Sequence, residues 1–197
     1  MKNIEIGKRN NYLELPPVGA YIAEIQDARL IPTNYQGTEL ESLEMMVEIT
    51  EGDYKGRYHE IFKDQDERFG NAKYKGVFRL YYPSDNSAEW MDSKFSHNIW
   101  CVQDSNGKKP DGSYIYVWTF DGDVKQLKGK KVGINVRKRI YEYNGQVRET
   151  TEIGQFETVD DVRNGKCKPM KDRDTRKNSS DEPQFTEVSA SEVSVPW

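Results

Sequence analysis

Long apolar runs are missing from this chain. No stretch of 18 such residues occurs among its 197, so no membrane-spanning helix is expected. The opening MKNIEIGKRNNYLEL holds no apolar core of the kind a secretory leader needs, and none is expected. Cysteine is scarce: Cys101 and Cys167 stand 66 positions apart, which predicts reduced thiols in a cytoplasm rather than a disulfide framework. Histidine is scarcer in pattern than in number. His59 and His97 form no Cys-x-x-Cys or His-x-x-x-His spacing with their neighbours, so neither a structural zinc site nor any other metal is expected. There is no Gly-rich phosphate loop, since Gly122, Gly129 and Gly133 read as turn and strand glycines, and no cofactor is expected. The carboxylate pairs Asp64/Asp66 and Asp160/Asp161 fall in expected loops and caps. They do not converge as a metal-dependent nuclease requires, so no catalytic residue and no enzyme is expected.

What is present is polar and aromatic. Hydrophobic residues make up 35% and charged residues 31%, which is polar for a globular chain, but 12% aromatics can still fill a core. Charge is unevenly placed. Residues 178–197 carry Asp181, Glu182, Glu187 and Glu192 with no Lys or Arg, which accounts for the whole net charge of −4 and leaves residues 1–177 neutral. The chain divides into a lead-in at 1–15, a folded domain at 16–167 and an acidic tail at 168–197. From 171 onward the tail lacks the apolar content to fold alone and is expected to be disordered.

The body is organised around residues 128–156, KGKKVGINVRKRIYEYNGQVRETTEIGQF. Val132, Ile134 and Val136 alternate with polar neighbours, which predicts a half-buried strand. Asn144-Gly145 favours a two-residue hairpin turn. Centring the turn there sets Arg148 opposite Tyr141 and Thr150 opposite Arg139, and puts Asn135, Arg137, Arg139, Tyr141 and Tyr143 on one polar face. Residues 128–148 hold seven Lys or Arg against the single acid Glu142. Cations interleaved with rings suit single-stranded nucleic acid: the cations meet phosphates and release counterions, and the rings stack on bases. The plainer alternative is a solvated ribbon with Arg137 paired across to Glu152.

Upstream, residues 18–31 predict a long strand whose apolar parity changes midway, as a bulge or bend would require, and 32–38 a turn or loop. Leu43, Met45, Val47 and Ile49 alternate cleanly in a second strand over 41–50, with Ser42, Glu44, Glu48 and Thr50 pointing the other way. A loop at 51–56 then leads to an expected third strand over 57–63, RYHEIFK. The insertion at 64–127 reads as a charged loop to 71, an apolar and aromatic segment at 74–82 that fits strand or helix, a helix over 88–102, a turn-rich loop, a short aromatic strand or buried edge over 114–120 and one helical turn at 123–128. Residues 158–164 predict a short capped helix stopped by Gly165. Five strands with a helix between the third and fourth is the order of an OB-fold, a small Greek-key barrel; a β-sandwich or an open α+β sheet is the alternative.

The motifs LPPVGAYIAEI, EGDYKGRYHEIF and LKGKKVGINVRKRIYEYNGQVR resemble the phage-encoded single-stranded DNA-binding proteins of phages of Gram-positive hosts. The likeness rests on Pro17, Gly19, Tyr21 and Ile25, then Glu51, Gly52, Tyr54, Lys55, Gly56 and Tyr58, then Gly129, Lys130, Val132 and Gly133, and covers about residues 15–165. It implies an OB-fold that sheathes single-stranded DNA during phage replication or recombination, in the cytoplasm of the infected bacterium. The ending SEVSVPW is similar to the C-terminal tip of bacterial single-stranded DNA-binding proteins, which docks on replication and repair proteins, but it holds only Glu192 in its last six residues and closes on Trp197.

The candidate residues follow from these readings. Lys128, Lys130, Lys131, Arg137, Arg139 and Arg148 are expected to track phosphates, and Tyr54, Tyr58, Tyr141 and Tyr143 to stack on bases. Glu192, Pro196 and Trp197 are expected to dock a partner, a carboxylate and one large ring suiting a small apolar pocket rimmed by cations. Trp90, Phe95, Trp100, Trp118 and Phe120 are expected in the core. The rival readings are a protein-binding adaptor without DNA affinity and a nuclease or resolvase subunit. Homo-oligomerisation is left open.

Overall fold

The computed structural model describes residues 13–107 and 117–176. They form a mainly β fold with one mixed sheet of six strands and three helices. The strands are β1 (Gly19–Tyr35), β2 (Thr38–Ile49), β3 (Val77–Tyr81), β4 (Lys131–Tyr143), β5 (Gln146–Glu157) and β6 (Arg173–Asp174). The helices are α1 (Arg57–Phe69), α2 (Glu89–Gly107) and α3 (Val159–Arg163), with a single 3-10 turn at Val124–Leu127. The hydrogen-bonded path runs β3-β2-β1-β4-β5, every neighbour antiparallel, and β6 adds to β4 in parallel.

The parity change in β1 is a bulge. Ile25 pairs with Val47 and Asp27 with Met46, so Gln26 is left over. Ala23 and Ile25 before it, and Ala28 after it, all reach the core. The strand continues through the expected loop and turns only at Gln36-Gly37 before Thr38 pairs back with Tyr35. On β2, Leu43, Met45, Val47 and Ile49 point inward as the alternation predicts. Phe78 on β3 and Phe156 on β5 stand at the two ends of the five-strand path, yet their rings are 4.6 Å apart, so the sheet curls on itself around the core. Helix α2 closes one side. Asn98 Oδ1 accepts the Phe156 amide at 2.7 Å, the Cys101 thiol donates to the Phe156 carbonyl at 3.4 Å, and Phe95, Ile99 and Val102 join the core.

The expected third strand over 57–63 is a helix. Tyr58 and Ile61 are the buried pair of α1, a spacing of three that a helix puts on one face and a strand on opposite faces. What tips the balance is remote in sequence. The Glu48 carboxylate accepts the amides of Tyr58 at 3.2 Å and His59 at 2.6 Å, two of the donors that a helix start leaves open. The helix runs through the expected charged loop to Phe69, with Arg68 bonded to Asp64 at 2.7 Å. The third strand comes later, at Val77–Tyr81. Residues 117–120 form no strand, and 108–116, including the first three residues of the expected aromatic segment and Lys108 and Lys109, lie outside the described residues.

The C-terminal boundary also moves. Residues 168–176, placed in the tail by composition, are part of the fold: Arg173 pairs with Arg139 and Asp174 with Ile140 of β4. Residues 1–12 and 177–197, which include Glu192, Pro196 and Trp197, lie outside the described residues.

Candidate nucleic-acid interface

The far half of the β4–β5 hairpin is a protruding arm. Asn144 and Gly145 take φ of 51° and 70°, the left-handed pair that a two-residue turn needs and that Asn-Gly supplies at least cost. The register is the one the sequence predicts: Tyr141 faces Arg148, Arg139 faces Thr150 and Arg137 faces Glu152. Ring and cation meet twice on this face. The Arg139 guanidinium lies 5.6 Å from the Tyr141 ring centre and that of Arg148 5.4 Å from Tyr143. Tyr143 is 56% exposed and Val147 57%, so the arm offers a ring and an apolar side chain to solvent that the core does not claim.

At the root of the arm the polar face is covered. Arg137 is 8% exposed and its Nε donates to Glu152 at 3.0 Å. Glu152 also meets Arg173 at 3.5 Å and Arg139 at 3.9 Å, so one carboxylate serves three guanidiniums. Of the expected phosphate contacts, Arg137 therefore has a structural partner, the pairing that the plainer reading anticipates. Lys138, beside it on β4, is bonded to Glu149 at 3.2 Å.

The remaining candidates lie at the other end of β4, separated from Tyr143 by twelve residues, roughly 40 Å of extended strand. Lys128 is exposed. Lys130 Nζ sits 4.2 Å over the Trp118 ring, and Lys131 lies 3.8 Å from Glu51. Tyr54, in the loop before α1, packs edge-on to Tyr21 at 5.7 Å and under Arg57 at 5.4 Å. With Glu14, Leu15, Pro17, Asp53 and Arg57 it lines a cleft of about 370 Å³. Tyr58 is a correction. It is 3% exposed in the core, because α1 turns it inward, and in that position it offers no face to a base.

Other groups on the outer face of the sheet went unread in the sequence. Arg29, Glu44 and Arg79 form a row across β1, β2 and β3, with Glu44 bonded to the two arginines at 2.7 and 2.6 Å. Glu44, on the face away from Leu43 and Met45, is thereby 5% exposed. Beside this row Tyr35, Tyr81 and Trp90 make an aromatic trio with ring centres 5.6 to 6.0 Å apart. Trp90 stays partly exposed and Trp100 half exposed, against the expectation that both are core; Phe95 is buried, and Trp118 and Phe120 pack against the core. The available signal was the alternation of β1 and β2, which puts Arg29 and Glu44 on the non-core face, but their pairing needed the register.

Four phenols and both thiols are held neutral rather than activated. Burial, then Tyr54, pushes the Tyr21 phenol up to about 12. Burial, then the Glu48 carboxylate, raises Tyr58 and Tyr74. The Cys101 thiol is pushed to about 12 and that of Cys167 to about 11 by burial and then by Glu157 and Asp161, so neither is a nucleophile at neutral pH. Both cysteines are free. Among the described residues no cluster of three His, Cys, Asp or Glu side chains could hold a metal, and no helix is long and apolar enough to cross a membrane. No protein-family model matches the chain, and no curated protein matches it.

Proposed function

We propose that this chain is a non-enzymatic single-stranded DNA-binding protein with little sequence preference, built on an OB-type barrel. The observation that carries the reading is the exposed β4–β5 arm, on which Arg139 and Tyr141, and Arg148 and Tyr143, stand side by side. Guanidiniums reach phosphates while the neighbouring rings stack on bases, and every base has a face to stack. The barrel is supported by the strand path β3-β2-β1-β4-β5, by α2 falling between β3 and β4, and by the contact of Phe78 with Phe156 where such a barrel closes. In an OB-fold the β1–β2 and β4–β5 loops flank the ligand face, so Arg29, Arg79, Tyr35 and Trp90 extend the surface that DNA crosses, with Tyr81 buried beneath the two rings as their support.

Lys128, Lys130, Lys131 and Tyr54 form a second contact region at the opposite end of β4. The tail beyond 177, with its charge of −4, competes for the basic face in the free protein and is displaced by DNA. Trp197 with Pro196 and Glu192 then recruits replication or recombination proteins, in the cytoplasm of a phage-infected bacterium. The test is the anisotropy of a labelled oligo-dT of about 30 nucleotides, long enough for at least one site of ~4–16 nucleotides, titrated at two salt concentrations with the matching duplex as control. Binding to the single strand, weaker binding to the duplex and loss of affinity with salt support the proposal. No binding to either leaves a protein-binding adaptor in its place. Removing residues 178–197 should tighten binding at low salt, and unchanged affinity would count against tail competition.

A further inference from the structure

Composition assigns residues 168–176 to an acidic tail, but the fold makes them a basic strap. Residues 166–176 carry Lys166, Lys168, Lys171, Arg173 and Arg176 against Asp172 and Asp174. The strap passes over Asn135 of β4 and Gly154 of β5 and then joins β4 as the parallel strand β6 beside Arg139 and Ile140. Asn135 Nδ2 donates to the Lys168 carbonyl at 2.9 Å. Met170 seats over Gly154, where an added Cβ would lie 2.5 Å from its sulfur. Arg173 reaches Glu152 at 3.5 Å, and the Thr175 amide bonds the Ile140 carbonyl at 2.9 Å. These anchors come from the strap backbone, Met170, Arg173 and Thr175. Arg176 is bonded by both its Nε and Nη2 to Asp174 at 2.9 and 2.6 Å. The three lysines are left on the solvent side, each exposed and with no ion pair among the described residues.

We infer that the strap is a cation rail that extends the single-stranded DNA path from the β4–β5 arm along β4, with Lys166, Lys168 and Lys171 as its phosphate contacts. The inference rests on the DNA-binding reading of the arm. Single-stranded DNA is the partner that fits, because the rail ends at Arg139 and Ile140, where the cation–ring pairs of the arm begin. A free, flexible strand can follow a rail of charges and then stack on rings, whereas a duplex keeps its bases covered. The consequence reverses the expectation from composition: within the C-terminal thirty residues, the first part attracts DNA and only the part beyond 177 repels it.

The test is the triple variant Lys166→Gln, Lys168→Gln and Lys171→Gln in the full chain, with the oligo-dT titration repeated from low to moderate salt. At roughly 0.7 per cation for a single strand, the slope of log affinity against log salt should become shallower by about 2, with the melting temperature unchanged. Lysine acetylation of the wild-type chain gives an independent reading, since bound oligo-dT should protect the three lysines. If the wild type binds oligo-dT and the variant keeps the full slope with no protection, the strap is only a solvated support and the inference falls while the DNA-binding reading stands. If the wild type binds no oligo-dT at any salt, both fall together.

Discussion

Glu152 shows how one carboxylate can decide the character of a surface. Three guanidiniums converge on it, and the Arg137 side chain is 10% exposed, so the pair is held largely away from water. Removing one partner of such a pair strands the other. Glu152→Ala is expected to cost about 3 kcal/mol in urea unfolding, more than an exposed ion pair would. The tyrosines divide the same way. Tyr58→Ala should destabilise the fold by about 3 kcal/mol or more, because it empties a core position. Tyr143→Ala should leave unfolding within about 0.5 kcal/mol of wild type but weaken oligo-dT binding by ~1–3 kcal/mol, the worth of one stacked base. Equal behaviour of the two variants in both assays would sink the division drawn between them. In sequence both were simply tyrosines near basic residues, and only their burial separates them.

At the scale of elements, the β4–β5 hairpin was readable residue by residue, because Asn144-Gly145 fixes the turn and the turn fixes the register. Helix α1 was not, because RYHEIFK fits either period and the deciding contact is the Glu48 carboxylate nine residues before the helix begins. Glu48→Ala should therefore lower stability by about 1–2 kcal/mol, the usual worth of a cap, with helix signal lost in circular dichroism. The strap was misread for a related reason. Its few apolar atoms could not fold alone, and its seat is a glycine in β5. Gly154→Val places side-chain atoms where Met170 packs, and should make the bonds after Lys166 and Lys171 more rapidly cut by trypsin while β1 to β5 stay folded. Protection equal to wild type would show that the strap does not depend on that seat.

For the molecule as a whole, the buried phenols and thiol set a limit at high pH. Tyr21 and Tyr81 are raised from 10.0 to about 12, and Cys101 from 9.0 to about 12, mainly by burial. The folded state thus holds protons that the unfolded chain releases first. Their stabilising contribution is complete below pH 9 and is lost as pH rises toward 12. Denaturation midpoints measured from pH 8 to 12 should fall across that window, and a flat profile would contradict the burial of these groups. The sequence by itself determined the β-rich class, the inward faces of β2 and β4, the bulge in β1 and the cation–ring pattern of the arm, because alternation and turn chemistry are local and carry their own period. Only the tertiary structure decided that 57–69 is a helix, that Arg137 is held by Glu152 and Glu44 by Arg29 and Arg79, that Tyr58 is core and that 168–176 belongs to the fold. Each of those depends on a partner distant in the chain, and the free energy of such a contact exists only once the sheet has brought the partners together.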